Sequence, residues 1–156
     1  MTARGMLRTM VVIGGLTALT AGCASAPPMS AGEAIEKRKA LMKDTGATWR
    51  SIQDKAKAGQ VAAIAPDAEK LAANAKQIPT LFPEGSLDPA KSAAKPEIWQ
   101  KRAEFDAAAK NLQTWSNRLA AASKANNATE TQAIMKEFGK MACGSCHTPF
   151  RVPPKQ

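Results

Sequence analysis

The chain predicts an all-α protein, and three observations carry that expectation. Alanine is abundant while tyrosine is absent (Tyr 0). No β-branched run alternates with period two, so no segment reads as a strand. Apolar residues recur instead at helical spacing in four stretches joined by short or medium links, the pattern of an antiparallel four-helix bundle.

The first helix opens at Ser30-Ala31-Gly32-Glu33, a capping box in which Ser30 accepts from the first turn and Glu33 reaches back. Ile35, Met42, Trp49 and Ala56 then recur at seven-residue intervals, with Ile52 between them, as one buried stripe ending near Gly59. Pro66 suits the first turn of a second helix, and Asp67 and Glu69 favour its positive end. Its apolar face is Leu71, Ala72, Ala75 and Ile78. Residues 79–95 carry Pro79, Pro83, Gly85 and Pro89 and predict a long irregular crossing, with Leu81 and Phe82 folding back on the core.

Pro96 opens a third helix with Ile98, Phe105, Ala109, Leu112 and Leu119 facing inward and Trp99 and Trp115 flanking. Asn126-Asn127 predicts a turn, and Thr129 with Gln132 has the form of a second capping box. The fourth helix places Ile134, Phe138 and Met141 on one face, with Met135 and Met141 expected in the core. It runs through Cys143-Gly144-Ser145-Cys146-His147 until Pro149, Pro153 and Pro154 end it.

That C-x-x-C-H run has several chemical readings. A C-x-x-C pair can be a redox dithiol, half a zinc site or a small disulfide loop. Zinc needs about four ligands, and the chain holds three cysteines and one histidine. A thioredoxin-like dithiol belongs beside a strand–helix–strand pattern, which is missing. In an exported protein the spacing marks covalent haem attachment. The two thiols become thioethers on the haem vinyl groups, and the adjacent histidine is placed to ligate the iron.

An export signal is legible. Arg4 and Arg8 form a positive n-region, and Met10 to Ala21 is an apolar stretch of 12 residues, short of the ~20 that span a bilayer. Cys23 follows Thr20-Ala21-Gly22, which resembles a bacterial lipobox, although Leu19 stands one place early. The competing cut is by ordinary signal peptidase near Ala24-Ser25-Ala26. Lipidation of Cys23, and with it a membrane tether, therefore stays open, while a periplasmic location follows from either cut. The expected organisation is an export signal over 1–22, a tether over 23–31, the bundle over 32–152 and a tail over 153–156. Loss of residues 1–23 removes Arg4 and Arg8 and no acid, so the net charge of +9 becomes +7. The lysines are scattered among acids along helices and no basic run is interleaved with aromatics, which argues against nucleic acid as a partner.

The arrangement resembles the cytochrome c′ family, the class II c-type cytochromes, over about Ala34 to Arg151. The carriers are Arg38-Lys39-Ala40-Leu41-Met42, Leu81-Phe82-Pro83-Glu84-Gly85, Lys95-Pro96-Glu97-Ile98-Trp99, and the C-x-x-C-H with Phe150-Arg151. The resemblance implies a four-helix bundle with one covalent haem c near the C-terminus, held by Cys143 and Cys146, with His147 as proximal ligand. Arg38 matches an arginine that approaches a haem propionate, with a solvated charge as the alternative; Lys39 and Lys95 are weaker candidates. Arg151 matches an arginine beside the proximal imidazole, four residues after His147 and so on its helical face, or serves as a cation at the helix C-terminus. The tryptophan that members often carry shortly before the Phe82 position is absent here.

With a single histidine, bis-histidine ligation within one subunit is excluded. Met42 matches the family's distal site, where two outcomes occur. Its sulfur can bind iron in a low-spin electron carrier, or it can pack over a five-coordinate iron that admits nitric oxide. No catalytic acid–base constellation, nucleophile pair or phosphate loop accompanies the motif, so the expected function is not enzymatic. The leading expectation is an exported monohaem cytochrome in electron transfer with a redox partner protein. Diatomic gas binding is the alternative within the family, and a haem-free helical module with a Cys143–Cys146 disulfide the alternative outside it. Homodimerisation through the first two helices is common in the family, and the alanine-rich second helix would permit it.

Overall fold

In the computed structural model, which describes residues 29–154, the chain is an antiparallel bundle of four helical rods without a strand among the described residues. The expected export signal and Cys23 lie outside the described residues. No helix among the described residues is long and apolar enough to cross a membrane.

Rod one is α1, Ala31–Lys57, capped by Ser30, whose side chain accepts from the Glu33 N–H. Lys55, Lys57 and Gly59 close it, Gly59 at φ 71 supplying the left-handed residue that stops a helix. The stripe reads inward as expected: Ile35 and Ile52 are buried, while Met42, Trp49 and Ala56 pack half-buried against the core. A 3-10 turn, Val61–Ile64, leads into α2, Ala65–Gln77, with Pro66 in its first turn. Polar clamps hold this pair antiparallel. Near one end Asp44 accepts from Lys70 and Asn74; near the other Asp67 accepts from Ser51 and Lys55.

The crossing begins with a 3-10 turn, Pro79–Leu81, and buries Leu81 and Phe82 as the sequence suggests. The third rod differs from expectation. It is broken at Lys101 (φ −121, ψ 49) into a single turn α3, Glu97–Gln100, and a long α4, Arg102–Lys124. Crossing carbonyls have no ladder to pair with, and the break aims donors at them from both sides. Trp99 Nε1 reaches Pro83 O at 2.9 Å, and Arg102 reaches Phe82 O at 3.0 Å and Pro79 O at 2.9 Å.

The fourth rod is α5, Ala128–Phe138, then a π-helical turn, Gly139–Gly144, then α6, Ser145–Phe150. Its cap lies two residues before the expected box: Asn127 accepts from the Glu130 N–H and donates to its carboxylate. Asn126, at φ 52, makes the turn that leaves Asn127 free to cap. Ile134 and Phe138 are buried as expected, but Met141 is 42% exposed. The π turn explains this correction. A wider turn puts the residue four along on the buried line, so Ala142 is fully buried and Met141 rotates out. The helix also survives Pro149 and ends at Phe150, because the missing N–H costs only one bond so near the terminus. Trp49 stacks on Phe138 at 4.5 Å and ties rod one to rod four.

Candidate haem-binding site

A cleft of about 650 Å³ opens between α1, the crossing and α6. Its floor is apolar: Ile78, Ile98, Phe82, Phe105 and Phe150 line it. Phe105 sits edge-on to both other rings, 4.9 Å from Phe82 and 5.4 Å from Phe150. Trp99 leans on Phe82 at 6.1 Å and so supplies an indole to the crossing, where the preceding loop lacks its tryptophan.

Met42 enters this cleft from α1, and Cys146 and His147 enter it from α6. Cys143, one turn earlier, packs half-buried against the core. Both cysteines are free thiols in this structure. Burial pushes both thiols up, Cys146 to about 11, so neither is an activated thiolate. His147 is exposed at the cleft mouth, but desolvation by the surrounding protein first and the Arg151 charge second hold its pKa below the ordinary value, which favours the neutral imidazole with a lone pair available to a metal. Among the described residues no three His, Cys, Asp or Glu side chains gather as a metal cage. An iron at His147 therefore needs a ligand frame of its own.

Arg38 is the site's one buried cation, 3% exposed. It is not the solvated charge that the sequence left as an alternative. The Pro83–Ser86 turn, with Gly85 at φ 74, brings Ser86 under α1. Arg38 donates to Ser86 Oγ at 3.1 Å, Ser86 O at 2.9 Å and Ser92 Oγ at 2.9 Å, and its guanidinium lies 4.7 Å over the Phe82 ring. Its Nε has no partner, and burial lowers its pKa while the more distant Asp88 charge raises it. Lys39, Lys43, Lys91 and Arg151 complete the lining, which includes no carboxylate. An orphaned buried N–H, a cationic rim, an apolar floor, two thiols and a neutral imidazole fit a flat apolar macrocycle that carries carboxylates.

Three placements adjust the sequence reading. Arg151 lies beyond the helix in extended backbone (φ −125, ψ 136), bridged to Ala94, where the Lys95 N–H donates to Phe150 O at 3.0 Å and the Val152 N–H to Ala93 O at 2.8 Å. It still shares the cleft with His147. Lys39 lines the cleft while pairing with Glu36 at 2.9 Å. Lys95 is turned toward Thr148 O at 3.4 Å and does not line the cleft. Lys43 and Lys91 were not singled out. Lys43 stands four residues after Lys39, on the same helical face, a signal that was available. Ser86 and Ser92 had none, since they meet Arg38 across 48 and 54 residues.

Residues 33–151 match the family described as Cytochrome C′. Cytochrome c-556 of Agrobacterium fabrum is 33% identical over 138 residues, covering 86% of this chain and 92% of the relative. Cytochrome c′ of Rhodopseudomonas palustris is 31% identical over 150 residues, covering 92% and 95%. Among solved structures, cytochrome c′ from Thermochromatium tepidum superposes with a TM-score of 0.69 at 28% identity, covering 81% of this chain and 100% of that one.

Proposed function

This chain belongs to the cytochrome c′ family, whose members bind one covalent haem c, and from that premise we propose that it is an exported, non-enzymatic electron carrier. In this reading Cys143 and Cys146 hold the haem, His147 is the proximal ligand and Met42 the distal one. Arg38, with Lys39, Lys43 and Arg151 at the rim, answers the carboxylates. A bound c-type haem supplies a one-electron ferric/ferrous couple.

The remaining work falls to the chain. Phe82, Phe105 and Phe150 keep water from the cleft floor. His147 offers a lone pair, and Arg38 supplies a buried positive charge. No carboxylate shares the cleft with the histidine, so no acid stands beside the imidazole to move a proton with the electron. The observation that carries the proposal is that Met42 and His147, one on the first rod and one on the last, line the same cleft.

The test is the optical spectrum of the purified ferric protein. A sulfur-to-iron charge-transfer band that disappears in Met42→Ala supports His/Met ligation and electron transfer. A high-spin spectrum identical in both proteins refutes that ligation and favours a five-coordinate, gas-binding site. Family membership sets aside the haem-free disulfide module; protein matured with working cytochrome biogenesis and lacking the mass of one haem would restore it. Lipidation of Cys23 is a separate part of the proposal. Membrane association that resists washing and is lost in Cys23→Ser supports it, and fully soluble wild-type protein refutes it.

A further inference from the structure

The haem motif is not carried on a plain α-helix. The six residues Gly139–Gly144 form a π turn that includes Cys143 and runs directly into Ser145-Cys146-His147. A π turn takes one more residue than an α turn, so everything after it is rotated by about one residue, roughly 100°, relative to an unbroken helix. The stripe before the turn (Ile134, Phe138) serves the bundle core, and the residues after it (Cys146, His147) serve the cleft. The extra residue allows one rod to face both.

Such turns are rare inside α-helices and are frequent at functional sites, so what holds this one bears on the motif it carries. Here the hold comes from one side chain on another rod. Asn111, on α4, donates through Nδ2 to Met141 O at 2.5 Å and to Ser145 Oγ at 3.1 Å. Ser145 Oγ in turn donates to Ala142 O at 3.1 Å. A carbonyl oxygen has two lone pairs, so Met141 can serve its own helix and still accept from Asn111. The contacted residues fall on both sides of Cys143, and Ser145 stands next to Cys146. The turn is also free of obstruction at its ends, both glycine; a Cβ at Gly144 would stand 3.4 Å from Gly139 O, across the turn.

We infer that Asn111 is a positioning residue for the haem-bearing turn: its amide fixes the register of the π turn and thereby the orientation of His147 toward the iron. The inference rests on the assignment of Cys143, Cys146 and His147 to haem made above. Asn111 itself does not line the cleft, so it acts through Met141 and Ser145.

The experiment uses haem-loaded full-length protein and reads the midpoint potential and the ferric EPR spectrum of Asn111→Ala, Ser145→Ala, Asn111→Gln and Ser116→Ala. Ser116 is the structural control, fully buried on the same helix and bonded only within it, to Leu112 O at 2.8 Å. We expect Asn111→Ala to shift the potential by the equivalent of a two-fold or larger change in the ferric/ferrous ratio and to broaden the EPR signals. Ser145→Ala should shift it in the same direction, and Asn111→Gln, which keeps the donor, should recover part of the shift. Ser116→Ala should lower the melting temperature and leave both readouts alone. Wild-type potential and EPR in both Asn111→Ala and Ser145→Ala would overturn the inference, as would an equal shift in Ser116→Ala. If Asn111→Ala does not load haem, Ser145→Ala decides on the same readouts. Wild-type protein without covalent haem would instead refute the haem assignment, so the two failures are distinct.

Discussion

Replacing Arg38 by alanine should cost the haem-loaded protein about 3 kcal/mol of stability. Arg38 makes hydrogen bonds to Ser86 Oγ, Ser86 O and Ser92 Oγ and covers the Phe82 ring. Hydrogen bonds to a charged group contribute about 1.5–3 kcal/mol each, and a cation over an aromatic face about 0.5–2 kcal/mol. Against that stands the desolvation of a cation that is 3% exposed, a cost of several kcal/mol that the variant recovers. The difference is about 3 kcal/mol, of the size expected when buried hydrogen-bond acceptors at Ser86 and Ser92 lose their donor. For a domain of this size each kcal/mol lowers the melting temperature by about 3–4 °C, so a fall of about 10 °C is expected in a circular-dichroism melt. Arg38→Lys should recover less than half of it, because one ammonium cannot span Ser86 and Ser92 as a planar fork does. A fall below about 3 °C in Arg38→Ala, or full recovery by lysine, would refute the view that this guanidinium holds the crossing against α1.

Two further perturbations test the frame. Phe138→Ala removes a fully buried ring stacked 4.5 Å from Trp49 and should cost about 3–5 kcal/mol in urea unfolding, with the haem spectrum unchanged because Phe138 does not line the cleft. The Asp67 clamp makes stability depend on acid. Burial alone would raise the Asp67 pKa, but hydrogen bonds from Lys55 and Ser51 outweigh it and hold the carboxyl below its ordinary value. The stabilisation is therefore present above the unfolded pKa of about 3.9 and is lost as pH falls through the lower folded value. Melting temperature followed from pH 7 to pH 3 should show Asp67→Asn about 1 kcal/mol less stable near neutrality, with the gap closing in acid. A gap that does not narrow in acid would show that the carboxylate charge is not what the clamp uses.

What the sequence by itself determined were the features set by neighbours along the chain. The Ser30 cap, the inward stripe of α1, Pro66 at the start of α2 and the Cys143–His147 motif each depend on residues within a turn or two, and helical period makes them legible. The motif's chemistry was equally local, since thioether and iron ligation need only those three side chains at that spacing. Tertiary structure decided the rest. The break at Lys101 exists because Trp99 and Arg102 answer carbonyls of a crossing some 16–23 residues away, and nothing within α3 or α4 signals it. The exposure of Met141 follows from a π turn held by Asn111, 30 residues earlier. Arg38 became a buried cation only when Ser86 and Ser92 folded beneath it. Backbone propensity and periodicity act over a few residues, whereas an unpaired carbonyl or a buried charge is satisfied by whichever donor or acceptor the packed chain brings within about 3 Å.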